Sequence, residues 1–154
     1  MMKLSDRLVR LFSTFFGIGN LPLAPGSMAS IAGVLICVLL QSSVLLYGAV
    51  FGVITLLGFW SCGRMEALLN EEDPSSVVID EVSGVMIAFF LLPLTPAVMW
   101  TAFFLFRAFD MFKIYPVNKF EEIPGGAGIM MDDVIAGIYT NIVMQIAVRW
   151  AGIV

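Results

Sequence analysis

Asp132 and Asp133 stand side by side at the mouth of an apolar run, within PGGAGIMMDDVIAGIY (124–139). A carboxylate at the centre of a bilayer costs roughly 2.5–3.5 kcal/mol on insertion scales, and adjacent carboxylates repel each other, so something must compensate the pair. One aspartate at an N-cap and another in the first turn would explain either as an ordinary helix start. Three further polar constellations border apolar segments. In EEDPSSVVIDEVSG (71–84), Asp80 and Glu81 lie where a helix enters an apolar block, and Asp73 precedes a proline turn. Favourable placement at a helix N-terminus would account for about 0.3–1 kcal/mol per carboxylate there. In FRAFDMFKIYP (106–116), Arg107, Asp110 and Lys113 follow one another at i,i+3 spacing on one helix face, flanked by Phe106, Phe109 and Phe112. FGIGNLPLAPGS (16–27) is a glycine- and proline-rich loop ahead of an apolar helix. It reads either as an ordered connection with Ser27 as helix cap, or as a loop whose backbone amides cradle an anion.

Together Asp80, Glu81, Asp110, Asp132 and Asp133 offer clustered hard oxygen ligands, with Asp73 added if its loop folds inward. Magnesium (Mg2+) suits such a set, since it takes oxygen ligands, keeps waters and joins one or two carboxylates to a substrate phosphate. Arg107 supplies a planar fork for phosphate and Lys113 a point charge. A bound cation would relieve the repulsion within the aspartate pair. The chain has no histidine, which excludes a histidine nucleophile or base. No cysteine is followed five residues later by arginine, no Asp-x-Asp pair marks an aspartyl-phosphate enzyme, and the D-x2-D-G-x2-A-R constellation of alcohol phosphotransferases is missing. What remains is metal-assisted chemistry with carboxylates alone.

The elements that must position these groups are apolar helices. With 60% hydrophobic and 13% charged residues and a mean hydropathy of +0.98, the 154-residue chain reads as a single integral membrane domain, 1–154. Its net charge of −4 argues against a nucleic-acid partner. Four apolar blocks stand at 28–40, 44–63, 82–106 and 134–148, of which the second is long enough to cross a bilayer unaided. Pro93 and Pro96 interrupt the third, and PLTP is expected to be a tight turn between two short helices that borrow residues from VVIDE and RAFD. The expected fold is all-α, a membrane bundle of about four transmembrane helices with an amphipathic N-terminal helix over 3–16. That arm would lie at the interface with Lys3, Arg7 and Arg10 towards anionic lipid. No cleavable signal peptide is expected, and Cys37 and Cys62 read as small buried hydrophobes rather than a disulfide. Seven of the eight basic residues (all but Arg149) and all twelve carboxylates fall on one side of this topology. By the positive-inside pattern that side is cytoplasmic.

FGIGNLPLAPGS, VVIDEVSG, FRAFDMFK and GGAGIMMDDVIAGIY occur in an order that resembles the phosphatidylglycerophosphatase A family of bacterial inner-membrane lipid phosphatases, over about residues 12–140. The resemblance implies magnesium-dependent dephosphorylation of phosphatidylglycerophosphate to phosphatidylglycerol, a phospholipid substrate and no protein partner. By motif match it gives functional weight to Asp73, Asp80, Glu81, Arg107, Asp110, Lys113, Asp132 and Asp133, and to Gly17, Gly19, Pro25 and Gly26. Two positions depart from the family pattern: Lys113-Ile114-Tyr115-Pro116 stands for Lys-Pro-x-Pro, and Ala29 stands for glycine. The rival reading is a small transporter or channel-like subunit, in which intramembrane carboxylates mark an ion path. It expects them at midplane depth rather than at helix entrances.

Overall fold

The computed structural model of the chain describes residues 3–112, 115, 123, 125–150 and 152. Among these the fold is all-α, with no strand: α1 (Leu4–Ser13), α2 (Pro25–Leu40), α3 (Val44–Leu69), α4 (Ile79–Ala88), α5 (Pro96–Phe112) and α6 (Gly126–Trp150), plus a 3-10 turn at Ile18–Asn20.

Two helices are long and apolar enough to cross a bilayer, α3 with 26 residues and α6 with 25. At 1.5 Å per residue, α2 and α5 reach about 25 Å and α4 about 15 Å, against a hydrocarbon core of about 30 Å. The four apolar blocks of the sequence thus resolve into two full-length helices and three shorter ones. PLTP is a turn, as expected: α4 stops at Ala88 and α5 starts at Pro96, where the fixed φ of proline is already helical. The same effect corrects Ser27. Pro25 opens α2 three residues earlier than a cap at Ser27 would, the N-cap is Ala24, and no side chain caps the helix. A larger correction concerns Asp132 and Asp133. Their helix begins at Gly126, where the left-handed Gly125 (φ +82°) turns the chain. The aspartates therefore lie in the second turn, beyond the reach of capping or of the helix dipole.

Glycines set how closely the helices approach. A Cβ on Gly63 would stand 2.8 Å from the Gly126 nitrogen, docking the start of α6 on α3, and Gly33 lies against Val85. The closest crossing joins α4 to α6. A Cβ on Gly84 would stand 2.6 Å from the Asp133 carbonyl oxygen, and one on Gly137 would overlap the Gly84 carbonyl. The pairing of 84 with 137 and of 88 with 141 makes α4 and α6 parallel.

Because α4 stops short, its last carbonyls would be orphaned in an apolar setting. Side chains from neighbouring helices take them up. Asn141 Nδ2 donates to the carbonyls of Ala88 (3.1 Å) and Phe90 (2.8 Å), and Gln145 Nε2 to Phe90 (3.0 Å). From α3, the Tyr47 hydroxyl donates to the Met86 carbonyl. Cys37 and Cys62 are free and buried, as expected. The outward surface of the bundle is apolar, with Leu35, Leu39, Leu45, Leu56, Trp100, Phe104 and Ile146 exposed, which a bilayer would cover. The expected amphipathic arm is α1, buried through Val9 and Ser13. Phe12 packs edge-on to Trp60 at 6.3 Å, and Arg64 lies 4.8 Å over the other part of that contact, the Trp60 ring.

Candidate active site

The register of α4 and α6 builds the site. Asp80 precedes Gly84 by four residues, and Asp133 precedes Gly137 by four. Residues four apart share a helix face, so the crossing that joins the two glycines also brings Asp80 towards Asp133. Both aspartates are buried, at 8% and 2% exposure. The charged neighbours of Asp133 are Asp80, Asp110, Glu81 and Asp132, and Asp132 Oδ1 accepts the Asp133 backbone N–H at 2.9 Å.

The end of α5 closes the cluster. Arg107 Nη1 donates to Asp110 Oδ2 at 2.7 Å and stands 3.6 Å from Glu81 Oε1, so one guanidinium joins carboxylates of α4 and α5. Glu81 is held from a third side by the start of α2. A Cβ on Gly26 would overlap the Glu81 carboxylate, so the anion nearest this glycine is a side chain of the protein itself. The rest of the glycine-rich loop supports α4. Ser13 accepts the Val78 N–H at 2.9 Å, and a Cβ on Gly19 would overlap the Ser76 carbonyl. Phe15, Phe16 and Gly17 are consecutive left-handed residues (φ 44°, 58° and 94°) that reverse the chain between α1 and the loop.

Three carboxylate oxygens in this cluster, Asp80 Oδ1, Glu81 Oε2 and Asp133 Oδ1, are buried without a hydrogen-bond partner. Burying a carboxylate without compensation is costly. The effect shows in the two acids of the first turn of α4, a helix too short to span. Burial holds the Asp80 carboxyl well above the ordinary range, helped by the charges of Glu81, Asp132 and Asp73. Burial also pushes Glu81 up to about 8, against the pull of Arg107. Among the described residues no three side chains form a ready-made metal cage. The unsatisfied oxygens nonetheless fit a hard cation that takes a few carboxylates and completes its shell with water and substrate. Beside the cluster opens a cavity of about 800 Å³ at the end of α3 and the start of α6, lined by Glu66, Asp73 and Asp132 among others.

The structure thus brings Asp80, Glu81, Arg107, Asp110, Asp132 and Asp133 to one end of the bundle, with Gly26 against Glu81. Asp73, left-handed at φ 45°, donates its N–H to Glu66 Oε1 at 3.3 Å and lines the adjoining cavity. Gly17 turns the loop, Pro25 opens α2, and Ser27 stands within the first turn of α2. Lys113 lies outside the described residues. The motifs and this constellation converge on one assignment, and the family profile of phosphatidylglycerophosphatase A matches residues 11–148. The chain belongs to the phosphatidylglycerophosphatase A family. Among its relatives, phosphatidylglycerophosphatase A of Haemophilus influenzae is 38% identical over 92% of this chain and 90% of its own length. Phosphatidylglycerophosphatase A of Escherichia coli is 34% identical over 83% of this chain and 76% of its own length. A protein of Bacteroides thetaiotaomicron, provisionally named a phosphatidylinositol-3-phosphatase, is 40% identical over 97% of this chain and 98% of its own length. No solved structure matches the chain.

The sequence reading missed the residues that set the geometry: Gly84 and Gly137 at the crossing, and Asn141, Gln145 and Tyr47 at the end of α4. The first pair had a legible signal, a glycine one helical turn beyond each buried acid.

Proposed function

We propose that this chain hydrolyses the terminal phosphate monoester of phosphatidylglycerophosphate, using magnesium held between α4 and α6. Family membership carries the hydrolase activity and the phospholipid substrate. The observation that supports magnesium is the set of three buried, unpartnered carboxylate oxygens on Asp80, Glu81 and Asp133. In this reading those three side chains hold the ion, with Asp132, Asp110 and Asp73 adding negative charge around it. When bound, the ion supplies Lewis-acid charge that neutralises the phosphate. Arg107, already oriented by Glu81 and Asp110, turns its remaining N–H groups to phosphate oxygens, and Lys113 adds a second positive charge. Water attacks phosphorus in line and gives its proton to a carboxylate of the cluster. The P–O bond to the lipid breaks, the leaving oxygen takes a proton, and phosphatidylglycerol and inorganic phosphate depart.

The same reading makes the chain one multi-pass domain of the bacterial inner membrane. The charged ends of α2 to α6 face the cytoplasm, and the α4–α5 hairpin dips partway into the bilayer. The positive-inside distribution supports that orientation, and the placement of the carboxylates at helix ends favours hydrolysis over ion transport. The relative named for phosphatidylinositol 3-phosphate makes the headgroup the point to test. Phosphate release from equal surface fractions of phosphatidylglycerophosphate and phosphatidylinositol 3-phosphate should favour the former at least tenfold in kcat/KM. The reverse preference would reassign the substrate.

A further inference from the structure

Between α2 and α5 runs an open apolar groove of about 270 Å³, lined by Ile31, Val34 and Leu35 on one wall and Met99, Trp100 and Phe103 on the other. The two helices touch only sparsely, so the groove opens sideways, with Ile31, Leu35 and Trp100 exposed along it. Its upper end lies about one helical turn short of the charged cluster. Ile31 lies five residues beyond Gly26, about 7.5 Å along α2, and Phe103 lies four before Arg107, about 6 Å along α5. Glu81 meets both Gly26 and Arg107, the residues that follow the two walls towards the cluster.

We infer that this groove seats an acyl chain of the phospholipid whose phosphate is hydrolysed, an assignment that rests on the lipid phosphatase reading. A phospholipid needs an apolar chain site below a site for its phosphate, separated by the glycerol backbone. Here the one-turn interval between the groove and Arg107 supplies that spacing, and the guanidinium supplies the charge complement of the headgroup. The second apolar groove, about 260 Å³ between α3, α4 and α6, does not meet this requirement. It is walled by α3, α4 and α6 and not by α5, so although Met86 lies only five residues beyond Glu81, the helix that carries Arg107 does not border it. The lateral opening between α2 and α5 would also let the lipid enter from the bilayer without leaving it.

Filling the groove tests this. Ile31→Trp and Leu35→Trp each add bulk from α2 without touching the cluster, and Ile142→Trp fills the other groove as a control. Phosphate release is measured on dioleoyl- and dihexanoyl-phosphatidylglycerophosphate in mixed micelles, with folding checked by circular dichroism. Both α2 variants should raise KM for the dioleoyl lipid at least tenfold with kcat within twofold of wild type. The dihexanoyl lipid, too short to depend on the groove, should keep kcat/KM within twofold, and the control should change neither. An unchanged KM, an equal rise for both lipids, or the same effect from Ile142→Trp would overturn the assignment while leaving the activity standing. No release by wild type from either lipid would remove the activity itself, and the groove's occupant with it.

Discussion

Gly26→Ala should separate activity from stability. A methyl at this position would overlap the Glu81 carboxylate. The atom it strikes is the end of a flexible side chain, so Glu81 swings aside while α2 and α4 keep their packing. Alanine is the better helix former by up to about 1 kcal/mol, so folding should be neutral or slightly improved. The cost falls on the site. Arg107 loses the partner that stands 3.6 Å away, and one of the three unpartnered buried oxygens leaves the cluster. A displacement of about 1 Å in such a constellation costs on the order of 100-fold, or about 2.7 kcal/mol of transition-state stabilisation. The expected result is a fall of about 100-fold in kcat/KM with a melting temperature within about 4 °C of wild type, the shift that about 1 kcal/mol produces at this chain length. Phosphate release and thermal unfolding on the same preparations check it. A cycle with Glu81→Ala sharpens the test: once Glu81 is gone, adding Gly26→Ala should cost less than about threefold, because the two residues act through one contact. Activity in Gly26→Ala within threefold of wild type, or two losses that simply add, would refute the reasoning.

Three further outcomes follow from other contacts. Gly137→Ala places a methyl on the Gly84 backbone carbonyl, where no side chain can yield, so it should destabilise the fold by about 1–3 kcal/mol, read as a lowered melting temperature; an unchanged one would contradict the tight α4–α6 crossing. Asn141→Leu leaves the Ala88 carbonyl and part of the Phe90 pairing unsatisfied and should cost about 0.6–2 kcal/mol, with Asn141→Gln recovering part of it in the same unfolding assay. In chelator, a folded Glu81 that titrates near 8 holds a proton that the unfolded chain releases near its ordinary value of 4.5. Stability should therefore fall as pH rises from about 4.5 to 8, and Asp80, also held above its ordinary range, adds to the fall in the same direction. Melting temperatures in chelator at pH 5.5 and 8 check the sign, and Glu81→Gln should shrink the difference without abolishing it, since Asp80 still titrates.

The helical class, the PLTP turn and the grouping of acids at one end of the bundle were legible because each rests on local chemistry: apolar length, proline's fixed φ, and charge placed outside apolar runs. The alternatives that made Ser27 and Asp132–Asp133 ordinary helix starts fail because capping preference is a weak local signal. Pro25 and the left-handed Gly125 set those starts instead, together with the close docking of Gly126 on Gly63. The contact between Gly26 and Glu81 joins residues 55 positions apart, and no spacing within one segment announces it. Asn141 and Gln145 looked like ordinary polar interruptions of an apolar helix. Their purpose is visible once α4 is seen to end partway through the bundle with carbonyls to satisfy.

The measurement that bears most directly on the central account is inorganic phosphate release from phosphatidylglycerophosphate in mixed micelles, by purified protein with magnesium or with chelator, alongside Asp133→Asn. The account predicts release that requires magnesium and falls at least 100-fold in a variant that remains folded. Release that persists in chelator, or an Asp133→Asn variant as active as wild type, would contradict a cation site built on the buried carboxylates of α4 and α6.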